Sequence, residues 1–244
     1  MNGGDPGNWG DPEKPWTHKK TGTNWAENDR FLETQNDLGL IEWNTQNKKV
    51  QEYILKWLKT CVEAGADGFR YDAAKLIELP DDVSILYGDE ILPFASDYWP
   101  TVLQNGASFQ YGEVLQEGEP NHRWTDVPKV QSGYDDEDSS RLHAYQALTY
   151  TTKDGEGKHF NTTLSFYGWR LRDAISTGNL NAAYVEDMLV PQGASADRTV
   201  TWVESHDNYI NDRSYLELDE QQVIQAWAIL GPEKRERPCS SAVP

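Results

Sequence analysis

Segments with the pattern of a buried β-strand alternate with segments of helical periodicity along most of this chain. The strand-like segments are GFRYDAA, beginning at Gly68, ASFQYGEVL at 107–115 and RTVTWVESHD at 198–207. Apolar residues recur at helical spacing over 46–64, and helices are also predicted in RLHAYQALTYTT, FYGWRLRDAIST and LDEQQVIQAWAIL. This alternation is typical of an α/β protein with parallel strands, because a helix must return the chain to the start of each next strand.

The first helix of this series has both of its ends marked in the sequence. Asn44 and Thr45 are suited to cap its N-terminus, and Gly65 is suited to end it. The preceding residues 1–44 are rich in Gly, Pro, Asn and Asp and are predicted to be dominated by loops. No apolar run reaches the ~20 residues that a membrane span requires, and no signal peptide is visible.

The balance of charge narrows the class of partner. Asp and Glu number 40 against 22 Lys and Arg, which gives a formal net charge of −18. A nucleic-acid-binding surface needs clustered basic residues, so this composition disfavours nucleic acid. The 10 Trp residues fit carbohydrate binding, although any single one of them is more often a core residue. The two cysteines, Cys61 and Cys239, have no metal-site spacing.

One carboxylate lies near the end of each predicted strand, at Asp72, Glu113 and Asp207. Chemistry in α/β folds collects at the C-terminal ends of strands, so these side chains are expected to converge. A carboxyl cluster favours one protonated member, and a protonated acid beside a carboxylate can cleave a glycosidic bond. Arg70 lies two residues before Asp72 on the same strand face, where it can hold that carboxylate ionised and oriented.

Each of these residues also has a structural interpretation. A single Asp at a strand end is more often a turn or cap residue than a catalyst. Arg70 and Asp72 alone could be a structural ion pair, and His206 alone would more often be structural. Three carboxylates at three strand ends favour the catalytic interpretation.

The segments GFRYDAAK, YGEVL and WVESHDN resemble, in this order, three short motifs of the alpha-amylase family of glycoside hydrolases. The resemblance runs from about Trp16 to Leu230. It implies a (β/α)8 barrel with a loop-rich domain inserted after the third strand, and hydrolysis of α-1,4-glucosidic bonds with retention. It also implies that Asp72 is the nucleophile, Glu113 the general acid/base and Asp207 the transition-state stabiliser.

The resemblance also assigns roles in substrate binding to Arg70, Lys75 and His206. Arg70 would orient Asp72, and His206 would hydrogen-bond the sugar in the cleaved subsite. Lys75 would contact sugar on the leaving-group side. The implied substrate is therefore an α-glucan bound along the strand ends.

A structural calcium ion between the barrel and the inserted domain is a further property of the family. The resemblance implies an acidic ligand at Glu42, where most relatives have Asp, and a ligand at the backbone carbonyl of Leu76. A further Asn ligand belongs to an earlier motif that this chain lacks. Calcium is therefore expected with a reduced set of ligands.

The family pattern divides the chain into three parts. Residues 1–44 correspond to a remnant of the inserted domain B, and residues 45–230 to a partial barrel with about strands four to seven. Residues 231–244 read GPEKRERPCSSAVP, a charged and irregular tail where the family has an apolar eighth strand. A one-base shift of the reading frame can convert a strand-like sequence into this tail. We hypothesise such a frameshift, and sequencing the gene tests it.

Three functions are compatible with these features. The first is endo-hydrolysis of starch or maltooligosaccharides, and the second is transglycosylation by a member of the same superfamily, since acceptor choice depends on loops. The third is a truncated, non-catalytic fragment that only binds α-glucan. A half-barrel has two open sheet edges, so a homodimer in which two copies cover each other is expected. The resemblance to secreted enzymes implies an extracellular parent protein.

Overall fold

The centre of the molecule is a parallel β-sheet. The computed structural model describes residues 10–11, 14–15, 34, 43–82, 85–87, 90–92, 95–115, 141–180, 194–205 and 218–230. The strands are β1 (Gly10–Asp11), β2 (Lys14–Pro15), β3 (Gly68–Tyr71), β4 (Ile85–Tyr87), β5 (Glu90–Leu92), β6 (Phe109–Gly112), β7 (Thr149–Thr151), β8 (Gly157–His159), β9 (Asn161–Thr163) and β10 (Thr199–Val200). The α-helices are α1 (Lys48–Glu63), α2 (Tyr98–Val102), α3 (Leu142–Ala147), α4 (Ser165–Thr177) and α5 (Glu220–Leu230).

The strands of the central sheet stand in chain order, β3, β6, β9 and β10, and every neighbouring pair is parallel. A helix lies in each connection: α2 between β3 and β6, α3 between β6 and β9, and α4 between β9 and β10. This progression in one direction is the arrangement from which a (β/α) barrel is built. The α/β class is thereby confirmed. Over the described ranges the sheet stays open, with β3 and β10 at its two edges.

Helix α1 forms where the apolar periodicity predicts it, with a different residue at its start. The cap is Asn47 and not Asn44, because the Asn47 side chain accepts the N–H of Lys49 at 2.9 Å. Asn44 instead accepts a backbone N–H within the preceding turn, at 3.1 Å. The helix is followed, as predicted, by Gly65, whose φ of +108° is a left-handed conformation that glycine adopts without strain.

Two predicted elements differ from the structure in length. The segment from Arg141 was predicted to be helical throughout, but its helix ends at Ala147 and the next residues form β7. The strand predicted over 198–207 ends at Val200. Beyond it, the carbonyl of Val203 accepts a hydrogen bond at 2.9 Å from Arg172 of α4 rather than from a neighbouring strand. Helix α3 therefore ends where the hairpin of β7 and β8 begins, and the second segment leaves the sheet where it bonds to α4.

The hydrophobic core lies between the sheet and the helices, with Trp99 fully buried at its centre. The aromatic rings that surround it, with centroids 5.2 to 6.0 Å away, belong to Tyr71, Tyr98, Tyr145 and Phe160. Phe69 and Tyr71 of β3 pack against this core. Successive side chains of a strand alternate between faces, so Arg70 projects from the opposite face of the sheet.

Candidate active site

Two of the three predicted carboxylates lie side by side at the C-terminal end of the sheet. Tyr71 of β3 pairs with Gly112 of β6, so Asp72 and Glu113 are the next residues of the two strands. The N–H of Glu113 donates to the carbonyl of Tyr71 at 2.8 Å and extends the pairing by one bond. The register of β3 against β6 is therefore what brings the two carboxylates together.

A single guanidinium group bridges these carboxylates. Nη1 of Arg70 donates to Oδ1 of Asp72, and its Nη2 lies 2.8 Å from Oε1 of Glu113. The side chain of Asp72 is 74% exposed, whereas that of Glu113 is 14% exposed. Asp72 is therefore open to an incoming ligand. The sequence predicted the contact between Arg70 and Asp72, but not the contact with Glu113.

Burial and neighbouring charges shift the pKa values of Arg70 and Tyr111. Burial by itself lowers the pKa of Arg70, but the hydrogen bond to Asp72 and the charges of Glu113 and Asp72 outweigh it and raise that pKa. Burial also raises the pKa of Tyr111 and Glu113 adds to the rise, against a lowering by Arg70. The guanidinium of Arg70 therefore stays charged, and the phenol of Tyr111 beside it stays neutral.

The turn after Asp72 supplies a hydrogen-bond donor to Glu113. Ala73 adopts φ +46° and ψ +38°, a left-handed conformation that is uncommon for a residue with a side chain. Its N–H donates to Oε2 of Glu113 at 3.1 Å, while Oε1 forms the ion pair with Arg70. The strain of such a residue costs about 1–3 kcal/mol and is characteristic of functional sites. No sequence signal identifies it, since alanine has no preference for this conformation.

The short 3-10 turn Ala74–Leu76 carries two further predicted site residues. Lys75 is 4% exposed, and its sugar contact stays a prediction. The carbonyl of Leu76 was one of two expected calcium ligands, and the other, Glu42, lies outside the described residues. Within the part of the chain that the structure describes, no group of three His, Cys, Asp or Glu side chains could hold a metal ion. Calcium therefore stays a prediction as well.

His206 and Asp207 lie outside the described residues, which end in this region at Ser205. The strand that precedes them, β10, is separated from β6 by β9. The convergence of Asp207 with the other two carboxylates, and the sugar contact of His206, stay predictions.

A groove of about 440 Å³ opens beside the nucleophile candidate. One wall is α1 and the other is β3, where four consecutive residues, Phe69 to Asp72, line it. Because alternate residues of a strand point to opposite faces, a groove lined by consecutive residues follows the strand edge. Trp43, Tyr53 and Trp57 also line it, with exposed fractions of 44%, 64% and 60%. Its size and its largely apolar, aromatic lining are those of a small-molecule site.

Known proteins are similar to this chain over most of its length. The chain matches the family described as "Alpha amylase, catalytic domain" over residues 4–217. It is 35% identical over 213 residues to an alpha-amylase of Butyrivibrio fibrisolvens, which covers 79% of this chain and 19% of the relative. It is 31% identical over 216 residues to an alpha-amylase of Clostridium acetobutylicum, which covers 87% of this chain and 23% of the relative.

The chain thus spans about a fifth of the length of these curated relatives. The match to the family nevertheless includes both strand ends that carry Asp72 and Glu113. Sequential parallel strands, with family motifs at their C-terminal ends, agree with that match. This chain belongs to the alpha-amylase family.

Proposed function

We propose that this chain is a retaining glycoside hydrolase that cleaves α-1,4-glucosidic bonds within starch or maltooligosaccharides. The observation that carries the proposal is the pair of Asp72 and Glu113 at neighbouring strand ends, bridged by Arg70. Membership of the alpha-amylase family supports it. The resemblance of GFRYDAAK and YGEVL to the family motifs implies the nucleophile and acid/base roles of these two residues. The four parallel strands then correspond to consecutive strands of the family's barrel.

Two displacement steps describe the proposed reaction. In the first, the Asp72 carboxylate attacks the anomeric carbon, the bond to the leaving glucan breaks, and Glu113 gives its proton to the glycosidic oxygen. In the second, Glu113 takes a proton from water as the water oxygen attacks the anomeric carbon and releases Asp72. Asp207 would stabilise the positive charge of both transition states. The exposure of Asp72 leaves it accessible for the attack.

The contacts of Glu113 are compatible with this scheme. Its Oε1 lies 2.8 Å from Nη2 of Arg70, and its Oε2 accepts the N–H of Ala73. Each carboxyl oxygen has a second lone pair, so Glu113 can carry a proton and give it to a glycosidic oxygen without losing either contact.

The test of this proposal is the release of reducing sugar from soluble starch by the wild type, Asp72→Asn and Glu113→Gln. Removal of the acid/base is expected to lower kcat roughly 10²–10⁴-fold. Asp72→Asn is expected to be at least as severe, because it removes the attacking carboxylate. NMR of the first product should show the α-anomer, as retention requires. Equal activity in all three proteins would assign the turnover to a contaminant and leave glucan binding alone.

The aromatic groove is proposed to hold the glucan next to Asp72. Trp57 of α1 is 60% exposed and lines the groove, so Trp57→Ala is expected to raise the KM for maltooligosaccharides roughly tenfold with little change in kcat. The matched control is Trp227→Ala, because Trp227 of α5 is 42% exposed and does not line the groove. An equal rise of KM in both variants would remove the groove from the substrate path.

The resemblance implies further properties of this chain, which we also propose. The domain B remnant at 1–44 and the tail at 231–244 fall almost entirely outside the described residues. Calcium, an extracellular location and the homodimer likewise rest on the sequence alone. None of the helices in the described ranges combines the length and the apolarity that crossing a membrane requires.

A further inference from the structure

We infer that a buried hydrogen-bond network on the core side of the sheet sets the position of Asp72 relative to Glu113. The inference rests on the proposed function of these two carboxylates. The network is formed by the side chains of Tyr71, Asn105 and Gln110, and we refer to it as the Gln110 network. These residues are positioning residues, since none of them lies at the reacting atoms.

The side chain of Gln110 is the centre of this network. Its Oε1 accepts hydrogen bonds from the Tyr71 hydroxyl at 2.6 Å and from Nδ2 of Asn105 at 2.6 Å. Nδ2 of Asn105 also lies 3.0 Å from the Tyr71 hydroxyl oxygen, and Nε2 of Gln110 donates to the carbonyl of Leu103 at 2.9 Å. Gln110 is 0% exposed and Asn105 is 3% exposed. The network is therefore shielded from water, where its directional bonds are strongest.

The backbone of Gln110 extends the network to two more strands. Its N–H donates to the hydroxyl of Tyr150 at 3.2 Å, and its carbonyl accepts from Nδ2 of Asn161 at 3.2 Å. Tyr150 lies on β7 and Asn161 on β9. One residue of β6 is thus connected to β3, β7 and β9. Gln110 fixes β6 against its surroundings, and Tyr71 fixes β3 against Gln110.

Tyr71 connects this network to the two carboxylates. It precedes Asp72 in the chain, and its carbonyl accepts the N–H of Glu113 at 2.8 Å. Its ring packs against Trp99, with 5.3 Å between the ring centroids. Tyr71 is therefore held at its ring, its hydroxyl and its carbonyl. Apolar packing alone tolerates small shifts, whereas the hydroxyl bond specifies the position of β3 relative to β6.

The Tyr71 hydroxyl is a persistent donor in this position. Burial is the main cause that raises the pKa of Tyr71, and the nearby Tyr98 adds to the rise, while the hydrogen bond from Asn105 opposes it. The phenol therefore keeps its proton over the pH range in which a glycosidase works.

The variant Tyr71→Phe isolates this bond. It keeps the ring in the core and removes only the hydroxyl. Gln110 Oε1 still accepts from Asn105, and Asn105 still donates to the carbonyl of Val102 at 3.0 Å, so the remaining amides stay hydrogen-bonded. The control is Tyr150→Phe, which also removes a hydroxyl bonded to Gln110 but leaves the bond between β3 and β6 intact.

Two measurements on these variants decide the inference. Tyr71→Phe is expected to raise the hydrogen-exchange rate of the Glu113 amide roughly tenfold, and to lower kcat on starch by a similar factor with KM unchanged. Tyr150→Phe removes an acceptor of the buried Gln110 N–H and is expected to raise the equilibrium constant of unfolding roughly 5- to 150-fold (about 1–3 kcal/mol), but to change kcat and the native-state exchange of the Glu113 amide by less than about twofold. The inference is overturned if exchange or kcat is unchanged in Tyr71→Phe, or if Tyr150→Phe has an equal effect. A wild type without turnover would overturn the proposed function instead, and the exchange rates would still decide the positioning.

Discussion

At the scale of single residues, Gly112 shows how the absence of a side chain determines the geometry of this site. A Cβ at this position would lie 2.7 Å from Cβ of Ala74 and 2.9 Å from the ring of Phe160. Distances this short do not occur between real side chains, so only glycine lets the turn after β3 pack against β6. That close packing also brings the N–H of Ala73 within 3.1 Å of Glu113.

Gly112→Ala is therefore expected to reduce both stability and activity. Overpacking of this kind costs about 1–3 kcal/mol, and the displaced turn would move Ala73 away from Glu113. Urea unfolding and kcat on starch measure the two effects. The control is Gly157→Ala on β8, because a Cβ at Gly157 meets no atom within 4 Å. Equal loss of stability in the two variants would contradict the steric explanation.

At the scale of secondary-structure elements, the sequence predicted the helices and strands that are determined by residues close together in the chain. Helix α1 was predicted from its apolar periodicity and from Gly65 after its end, although its N-cap is Asn47 and not the predicted Asn44 or Thr45. The strands at Gly68 and Phe109 were predicted from short apolar segments. Strand β9, Asn161–Thr163, was not predicted, because three polar residues become a strand only by pairing with β6 and β10. In the same way, the strand ends predicted Asp72 and Glu113, but the left-handed Ala73 depends on tertiary packing and left no local signal.

A buried ion pair connects two elements across a long interval of sequence. Arg141, at the start of α3, lies with Nη1 2.7 Å from Oδ1 of Asp82 and with Nη2 2.8 Å from Oδ2 of Asp81. The side chains of Arg141 and Asp82 are 7% and 0% exposed, whereas that of Asp81 is 64% exposed. The other oxygen of Asp82 accepts the N–H of Leu79 at 2.7 Å. The segment that follows the active-site turn is thereby attached to α3.

Asp82→Asn and Asp81→Asn are expected to differ in cost although both remove a charge facing Arg141. In Asp82→Asn the buried Arg141 loses its buried counter-charge and keeps the largely exposed Asp81, so this variant should lower the free energy of unfolding by about 3 kcal/mol. Asp81 is largely exposed, so Asp81→Asn should cost about 1 kcal/mol or less. Chemical denaturation with urea measures both. Similar costs for the two variants would show that the burial of Asp82 does not govern this contact.

At the scale of the whole molecule, one aromatic core joins the central sheet to its helices. Tyr71 reaches it from β3, Tyr98 from α2 and Tyr145 from α3, around the buried ring of Trp99. Such a core buries phenol groups together with rings, and burial favours the neutral phenol. Burial is the main cause that raises the pKa of both Tyr71 and Tyr98, and Glu78 adds to the rise for Tyr98. The folded state is therefore expected to lose stability at alkaline pH.

The free energy of unfolding is expected to fall as the pH rises above about 10, the ordinary pKa of tyrosine. There the unfolded chain releases protons that folded Tyr71 and Tyr98 retain, so each such residue contributes a slope of about −1.4 kcal/mol per pH unit. Because the pKa is higher in the folded state, this stabilisation is fully present below pH ~10 and is lost progressively as the pH rises above it. Urea unfolding from pH 8 to 11 measures the slope, which Tyr98→Phe should reduce. Tyr53→Phe is the control and should leave the slope unchanged, because Tyr53 is 64% exposed and lies outside the buried core. Identical slopes for the wild type and Tyr98→Phe would show that Tyr98 ionises without unfolding the core.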